Sequence, residues 1–145
     1  MKKRAITLQK LLPEYLEFWK TICNMETPSS DKNALNIQAD FIEKFAVAHG
    51  FTVRRKSHDR AGDTMSIELA AHSTLEPIAL LAHMDTVHEK GAFGMPPVTE
   101  SEGVLYGPGV FDCKGGIAVA MLASSTVSAQ EHKRVEVTKN YTHEV

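Results

Sequence analysis

Apolar residues recur three and four positions apart along Leu8, Leu11, Leu12, Tyr15, Leu16, Phe18, Trp19 and Ile22. That spacing predicts an amphipathic helix, with Pro13 expected inside its first turn, where a missing N–H is tolerated. Glu26-Thr27-Pro28-Ser29-Ser30-Asp31 is loop chemistry and supplies N-cap candidates for a second helix. The second helix is expected from Lys32 to His49, with Leu35, Ile37, Phe41, Ile42, Phe45 and Ala46 facing a core and Gly50 as its stop.

Downstream the pattern changes to strands. Phe51 to Lys56 and Met65 to Leu69 alternate apolar and polar side chains, with a turn around Ala61-Gly62-Asp63. Pro77-Ile78-Ala79-Leu80-Leu81-Ala82 is apolar without alternation, which predicts a central strand covered on both faces. Val104-Leu105-Tyr106 reads as a short strand before a glycine-rich turn, and Gly115 to about Ala129 reads as a helix. The sum is an α/β layered domain, a partial three-layer arrangement with a mixed, mostly parallel sheet. After Ala123 the signal weakens: polar residues interrupt the helix, and only Val135, Val137 and Tyr141 hint at a strand. Residues 1–123 are therefore expected to form the folded domain and residues 124–145 an atypical tail. An α/β sheet of this kind needs more strands than are supplied, so the architecture is expected to be incomplete.

Composition narrows the function classes. The chain of 145 residues is 43% hydrophobic and 23% charged, with a formal net charge of −2, as ordinary globular proteins are. No basic stripe stands out, which argues against nucleic acid as a partner. No apolar run approaches the ~20 residues needed to span a bilayer, so no membrane partner is expected. Cys23 and Cys113 lie far apart and in no CxxC pattern, which suits a reducing compartment. The basic start at Lys2-Lys3-Arg4 lacks the apolar core of a secretory signal, so a cytoplasmic location is expected.

Two blocks carry chemistry. In His83-Met84-Asp85-Thr86-Val87, directly after the apolar strand, strand geometry would send His83 and Asp85 to one side and Met84 to the other. The carboxyl edge of such a strand is where open α/β sheets place ligands. A metal-binding His usually has its second ring nitrogen held by a carboxylate or carbonyl, and Asp85 is placed for that. A surface His–Asp pair is the bland alternative. In Tyr106-Gly107-Pro108-Gly109-Val110-Phe111-Asp112-Cys113-Lys114-Gly115-Gly116, glycines allow a tight path and open a helix. A dinucleotide fingerprint would want its third glycine where Asp112 stands. Two carboxylates and a histidine attract divalent cations and repel phosphate. A glycine turn with an N-capping Asp112 and a nucleotide-binding α/β domain remain as rivals.

Together these blocks resemble the family that includes glutamate carboxypeptidase, acetylornithine deacetylase, succinyl-diaminopimelate desuccinylase and aminoacylase. The resemblance rests on His83-Met84-Asp85-Thr86-Val87 followed by Asp112-Cys113-Lys114-Gly115-Gly116, and it runs from about Leu11 to Ala123. Lys90-Gly91 and Tyr106-Gly107-Pro108-Gly109 are most similar to the glutamate carboxypeptidase branch. It implies a metal-dependent amidohydrolase holding two Zn2+ ions, or Co2+, with His83 on one ion and Asp112 bridging both. Asp85 would orient His83 from behind, and the Asp112-Cys113 peptide would be cis. The implied reaction is cleavage of the amide bond to a C-terminal or N-acylated amino acid by a metal-bridged hydroxide, on a peptide or small-molecule substrate. Homodimers are implied for the full-length relatives. The family's next elements are a glutamate pair, a further acidic ligand and a distant histidine. Here His143-Glu144-Val145 stands where Glu-Glu-Val is expected, and only Glu144 is a candidate stand-in. The chain alone is thus expected to be an inactive fragment; a non-catalytic remnant serving as an interaction module is the alternative.

Overall fold

The computed structural model describes residues 2–69, 76, 78–128 and 135–138, with side chains described for 8–69, 76 and 78–126. Helix α1 spans Lys2–Asn24 and α2 spans Lys32–Ala48. Pro13 lies in the interior of α1, not in its first turn as expected. Packing of Tyr15, Phe18 and Ile22, each at most 2% exposed, anchors the turns that follow it and outweighs the one hydrogen bond a proline removes. Helix α2 opens as predicted: the Asp31 side chain accepts from the Ala34 N–H at 2.9 Å. Its buried stripe is Ala34, Leu35, Gln38, Ala39, Ile42 and Ala46. Ile37, expected in the core, falls outside this three-and-four spacing and is 53% exposed.

Strands β1 (Thr52–Lys56) and β2 (Thr64–Leu69) form an antiparallel hairpin with Val53 opposite Ile67. Strand β3 covers Ile78–Leu81, and a small hairpin of β4 (Thr99–Ser101) and β5 (Val104–Tyr106) follows. A kinked turn at Val110–Gly115, with Asp112 and Cys113 outside helical backbone angles, runs into α3 (Gly116–Ser128), and β6 (Val135–Thr138) comes last. The main sheet has the order β1-β2-β6-β3. Strand β6 is antiparallel to β2 and parallel to β3, with α3 in the long connection that a parallel pair requires. Register puts Val53, Ile67, Val137 and Leu80 in one row across it.

Met65, Ile67 and Leu69 of β2 pack with Phe18, Ile22, Ile42, Met84 and Met121 into one core. Strand β3 departs from expectation. Ile78 is 59% and Leu81 68% exposed, so this is a sheet-edge strand and not one covered on both faces. The apolar run is present, but among the described residues only β6 pairs with it. Tyr141, Glu144 and the rest of the expected tail beyond Thr138 lie outside the described residues.

Candidate metal centre

The polypeptide beyond Leu81 leaves the sheet and is gripped by the loop between α1 and α2. Thr27, fully buried, donates its hydroxyl to the Met84 carbonyl at 2.6 Å, and Gln38 Nε2 donates to the same oxygen at 3.3 Å. The Thr86 N–H donates to Thr27 O at 2.8 Å, and the Ser29 N–H donates to Thr86 O at 3.1 Å. Residues Pro28 and Thr86 thus form an isolated parallel bridge. The alternation read from the sequence holds: Met84 is 2% exposed in the core, while His83 and Asp85 line a surface cavity of about 240 Å³.

The glycine-rich segment brings in the opposite wall. Gly109 has φ +70°, and a Cβ there would meet Lys114 and Thr86 side-chain atoms at 3.0 Å. A Cβ on Gly115 would lie 2.5 Å from the Val110 carbonyl oxygen. Both positions therefore demand glycine if the turn is to close against Thr86 and place Asp112 at the cavity. The Asp112-Cys113 peptide is cis, as the resemblance implied.

His83 sits between the two aspartates. Its Nε2 is 2.9 Å from Asp112 Oδ1, and its Nδ1 is 3.1 Å from the Asp85 carbonyl and 3.3 Å from Asp85 Oδ1. Asp85 Oδ2 accepts a short hydrogen bond, 2.6 Å, from the Ser29 hydroxyl. Cys113 Sγ accepts from the His83 backbone N–H at 3.1 Å, which docks the cis segment onto the strand end. His83, Asp112 and Cys113 offer donor atoms all within 4.8 Å of one another. A zinc ion with Zn–N and Zn–O near 2.0–2.2 Å and tetrahedral angles wants such donors roughly 3.3 Å apart. The His83–Asp112 pair is a few tenths of an ångström closer than that. The Asp112 side chain is 82% exposed and free to give by that amount. The donor set fits a divalent ion.

Lys114 is fully buried and donates to the Ile22 carbonyl at 2.8 Å. Burial pulls its ammonium down to about 8, against the opposing fields of Cys23, Glu26 and Asp85. Burial likewise pushes the Cys23 thiol up to about 11. His88 lines the cavity with its ring edge-on to Phe93, centroids 4.9 Å apart. Trp19 packs against the core and donates Nε1–H to the Val110 carbonyl at 3.2 Å, bracing the turn from below. Sequence reasoning missed Thr27 and Ser29. Their only signal was membership of the Glu26-Thr27-Pro28-Ser29 lead-in, which reads as an ordinary loop until Met84 and Thr86 are seen beside it.

No helix among the described residues is long and apolar enough to cross a membrane. Residues 79–140 match the model of peptidase family M20/M25/M40. Carboxypeptidase G2 of Pseudomonas sp. (strain RS-16) is 30% identical over 111 residues, 75% of this chain and 26% of that protein. Human carnosine dipeptidase 1 superposes with a TM-score of 0.78 at 18% identity, over 96% of this chain and 34% of its own. An M20 family metallo-carboxypeptidase from Sulfolobus solfataricus gives 0.74 at 12% identity, over 88% and 30%. At such identities the structures speak for the fold alone, and the chain spans no more than 34% of the length of any of these three proteins. Sequence match and mixed α/β fold agree: residues 79–140 match peptidase family M20/M25/M40, and the chain has the fold of solved members of that family.

Proposed function

We propose that the chain carries one side of the metal centre of an amide-hydrolysing peptidase as the N-terminal part of its catalytic domain, to which β6, beyond residues 1–123, also contributes a strand. His83 and Asp112 are the metal ligands and Asp85 orients His83. The observation that supports this most directly is the 2.9 Å approach of His83 Nε2 to Asp112 Oδ1 at an open cavity, with Nδ1 held from behind by Asp85. Zinc is the ion of choice for an imidazole–carboxylate set, and cobalt suits the same donors. A bound ion of this kind supplies Lewis acidity, polarising a carbonyl oxygen and acidifying water.

The chain's own residues have separable tasks. Asp85 fixes the imidazole so that Nε2 faces Asp112, and Asp112 is exposed enough to use a second oxygen toward a further ion. The cavity rim of Val87, His88 and Phe111 borders the space where a peptide or N-acyl amino acid would enter. Within the described residues no carboxylate stands ready as a general base in this cavity apart from Asp85 and Asp112, which are already engaged with His83. These 145 residues are therefore expected to bind a divalent ion weakly and to turn over no substrate.

Calorimetric titration with Zn2+ tests the site. Binding is expected in the parent chain and lost in His83→Ala and in Asp112→Ala. Zinc binding that survives both substitutions would contradict the ligand assignment. Hydrolysis of N-acyl amino acids by the parent chain, abolished in His83→Ala, would contradict the inactive reading.

A second reading, an interaction module, is favoured by one feature. An adjoining groove of about 420 Å³ lined by Leu12, Leu16, Trp19, Phe111, Val119 and Leu122 is almost wholly apolar, with Phe111 95% and Val119 67% exposed. Concentration-dependent sedimentation would favour it; a monomer at all concentrations would oppose it.

A further inference from the structure

We propose that Trp19 is a positioning residue for this centre, holding the turn that carries Asp112 against α1 and thereby setting how tightly the site takes a divalent ion. The inference rests on the metal-site reading above.

Asp112 is poorly supported by its own secondary structure. Its backbone angles, φ −111° and ψ 102°, lie outside the helical range, as do those of Cys113. Regular helical hydrogen bonding therefore does not fix the backbone from which its carboxylate projects. The turn is held on either side of Asp112 instead, and one helix does both. Two positions before it, the Val110 carbonyl accepts from Trp19 Nε1–H at 3.2 Å. Two positions after it, Lys114 Nζ donates to the Ile22 carbonyl at 2.8 Å. Trp19 and Ile22 are three apart in α1 and so lie on one side of it.

The indole nitrogen can only donate, so its contact with the carbonyl has one possible sense. Gly115 belongs to the same packing. A Cβ there would sit 2.5 Å from Val110 O and 3.3 Å from Trp19 Nε1, so carbonyl and indole close over this glycine with no room for a side chain. The bond from Lys114 N–H to Gly109 O, 2.9 Å, closes the turn on itself but does not seat it on the rest of the molecule. On the strand side Cys113 Sγ meets the His83 N–H at 3.1 Å, and sulfur is a weak acceptor. The grip of α1 is thus the stronger one, and Trp19 supplies its half nearer the cavity rim, next to Phe111.

The chain has one tryptophan, so the test can be made at this ring alone. Benzothienylalanine in place of Trp19, introduced in a tryptophan auxotroph, exchanges the N–H for sulfur and keeps the shape of the ring. Trp19→Phe removes the N–H and part of the ring. Phe18→Leu is the control for stability, since Phe18 is buried and packs on Phe41 and Phe45. Calorimetry with Zn2+ reads affinity, and thermal midpoints read stability. Relaxation dispersion of 15N in metal-free protein reads motion of the amides from Val110 to Lys114. Both replacements of Trp19 should lower zinc affinity roughly tenfold, the lower end for groups behind a ligand, and should add millisecond exchange at those amides. Phe18→Leu should melt below the parent with its affinity unchanged and those amides quiet. Parent-like affinity with benzothienylalanine would overturn the proposal. So would an equal loss of affinity in Phe18→Leu, since that marks general destabilisation. A parent chain that binds no zinc would sink the metal-site reading, and the amides would then decide the hold on the turn. Exchange with benzothienylalanine upholds that hold; its absence overturns it.

Discussion

The short segment from Ile78 to Thr86 contains two regions held in different ways. Its apolar half, β3, reads as buried yet exposes Ile78 and Leu81 at the sheet edge. Its polar half, His83 to Thr86, keeps the alternation its sequence predicts and is tied to the α1–α2 loop through Met84, Asp85 and Thr86. Apolarity tells which surface would gain from cover; hydrogen-bond partners elsewhere in the chain decide what is held. A site that must present a lone pair at a fixed angle is built on the second kind of support.

That contrast can be broken experimentally, and the expected effects differ in size. Met84→Ala attacks the anchored half where it enters the core. Removing a methionine that is 2% exposed should cost about 2–5 kcal/mol, seen as a lower urea midpoint. Lys114 beneath the site gives a pH signature. Its ammonium is pulled from 10.5 to about 8, so between those values the unfolded chain holds more protons and stability rises with pH. The Cys23 thiol is pushed from 9.0 to about 11, so over that window the unfolded chain holds fewer protons and stability falls. Stability should therefore climb from pH 8 to about 9 and then level off. Lys114→Met should remove the climb, and a Lys114→Met chain with the parent's profile would refute this origin.

Thr27→Val keeps the shape of the brace and removes its hydroxyl. Because Gln38 still donates to the Met84 carbonyl, the loss should be about 1 kcal/mol by chemical denaturation. Leu81→Lys addresses the exposed half and should move stability by no more than about 0.5 kcal/mol. It should also lower any self-association seen in sedimentation velocity, because a charge on an edge strand opposes pairing with another chain.

Much of the fold was legible because it depends on local periodicity. The three-and-four spacing in α1 and α2, the Asp31 cap and the β1–β2 hairpin follow from neighbouring residues. Ile37 and Pro13 show the limit: one apolar residue lay off the buried stripe, and one proline was tolerated because aromatic packing secured the helix beyond it. The insertion of β6 between β2 and β3 was not legible, since strand order depends on pairings between distant segments. At the cavity, the shared side of His83 and Asp85 was legible from alternation along a strand, and the approach of Asp112 to them was an implication of the two-block resemblance. Ser29 and Thr27 were not, because a loop hydroxyl carries no mark of the residue it will meet 56 or 57 positions later.

The proposed metal centre requires that one divalent ion can sit between His83 and Asp112. A crystal of the chain soaked in Zn2+, with anomalous scattering collected at the zinc edge, measures this directly. The predicted result is a single strong peak about 2.0–2.2 Å from both His83 Nε2 and an Asp112 carboxylate oxygen. A peak only at other residues, or a His83–Asp112 contact unchanged at saturating zinc, would contradict it.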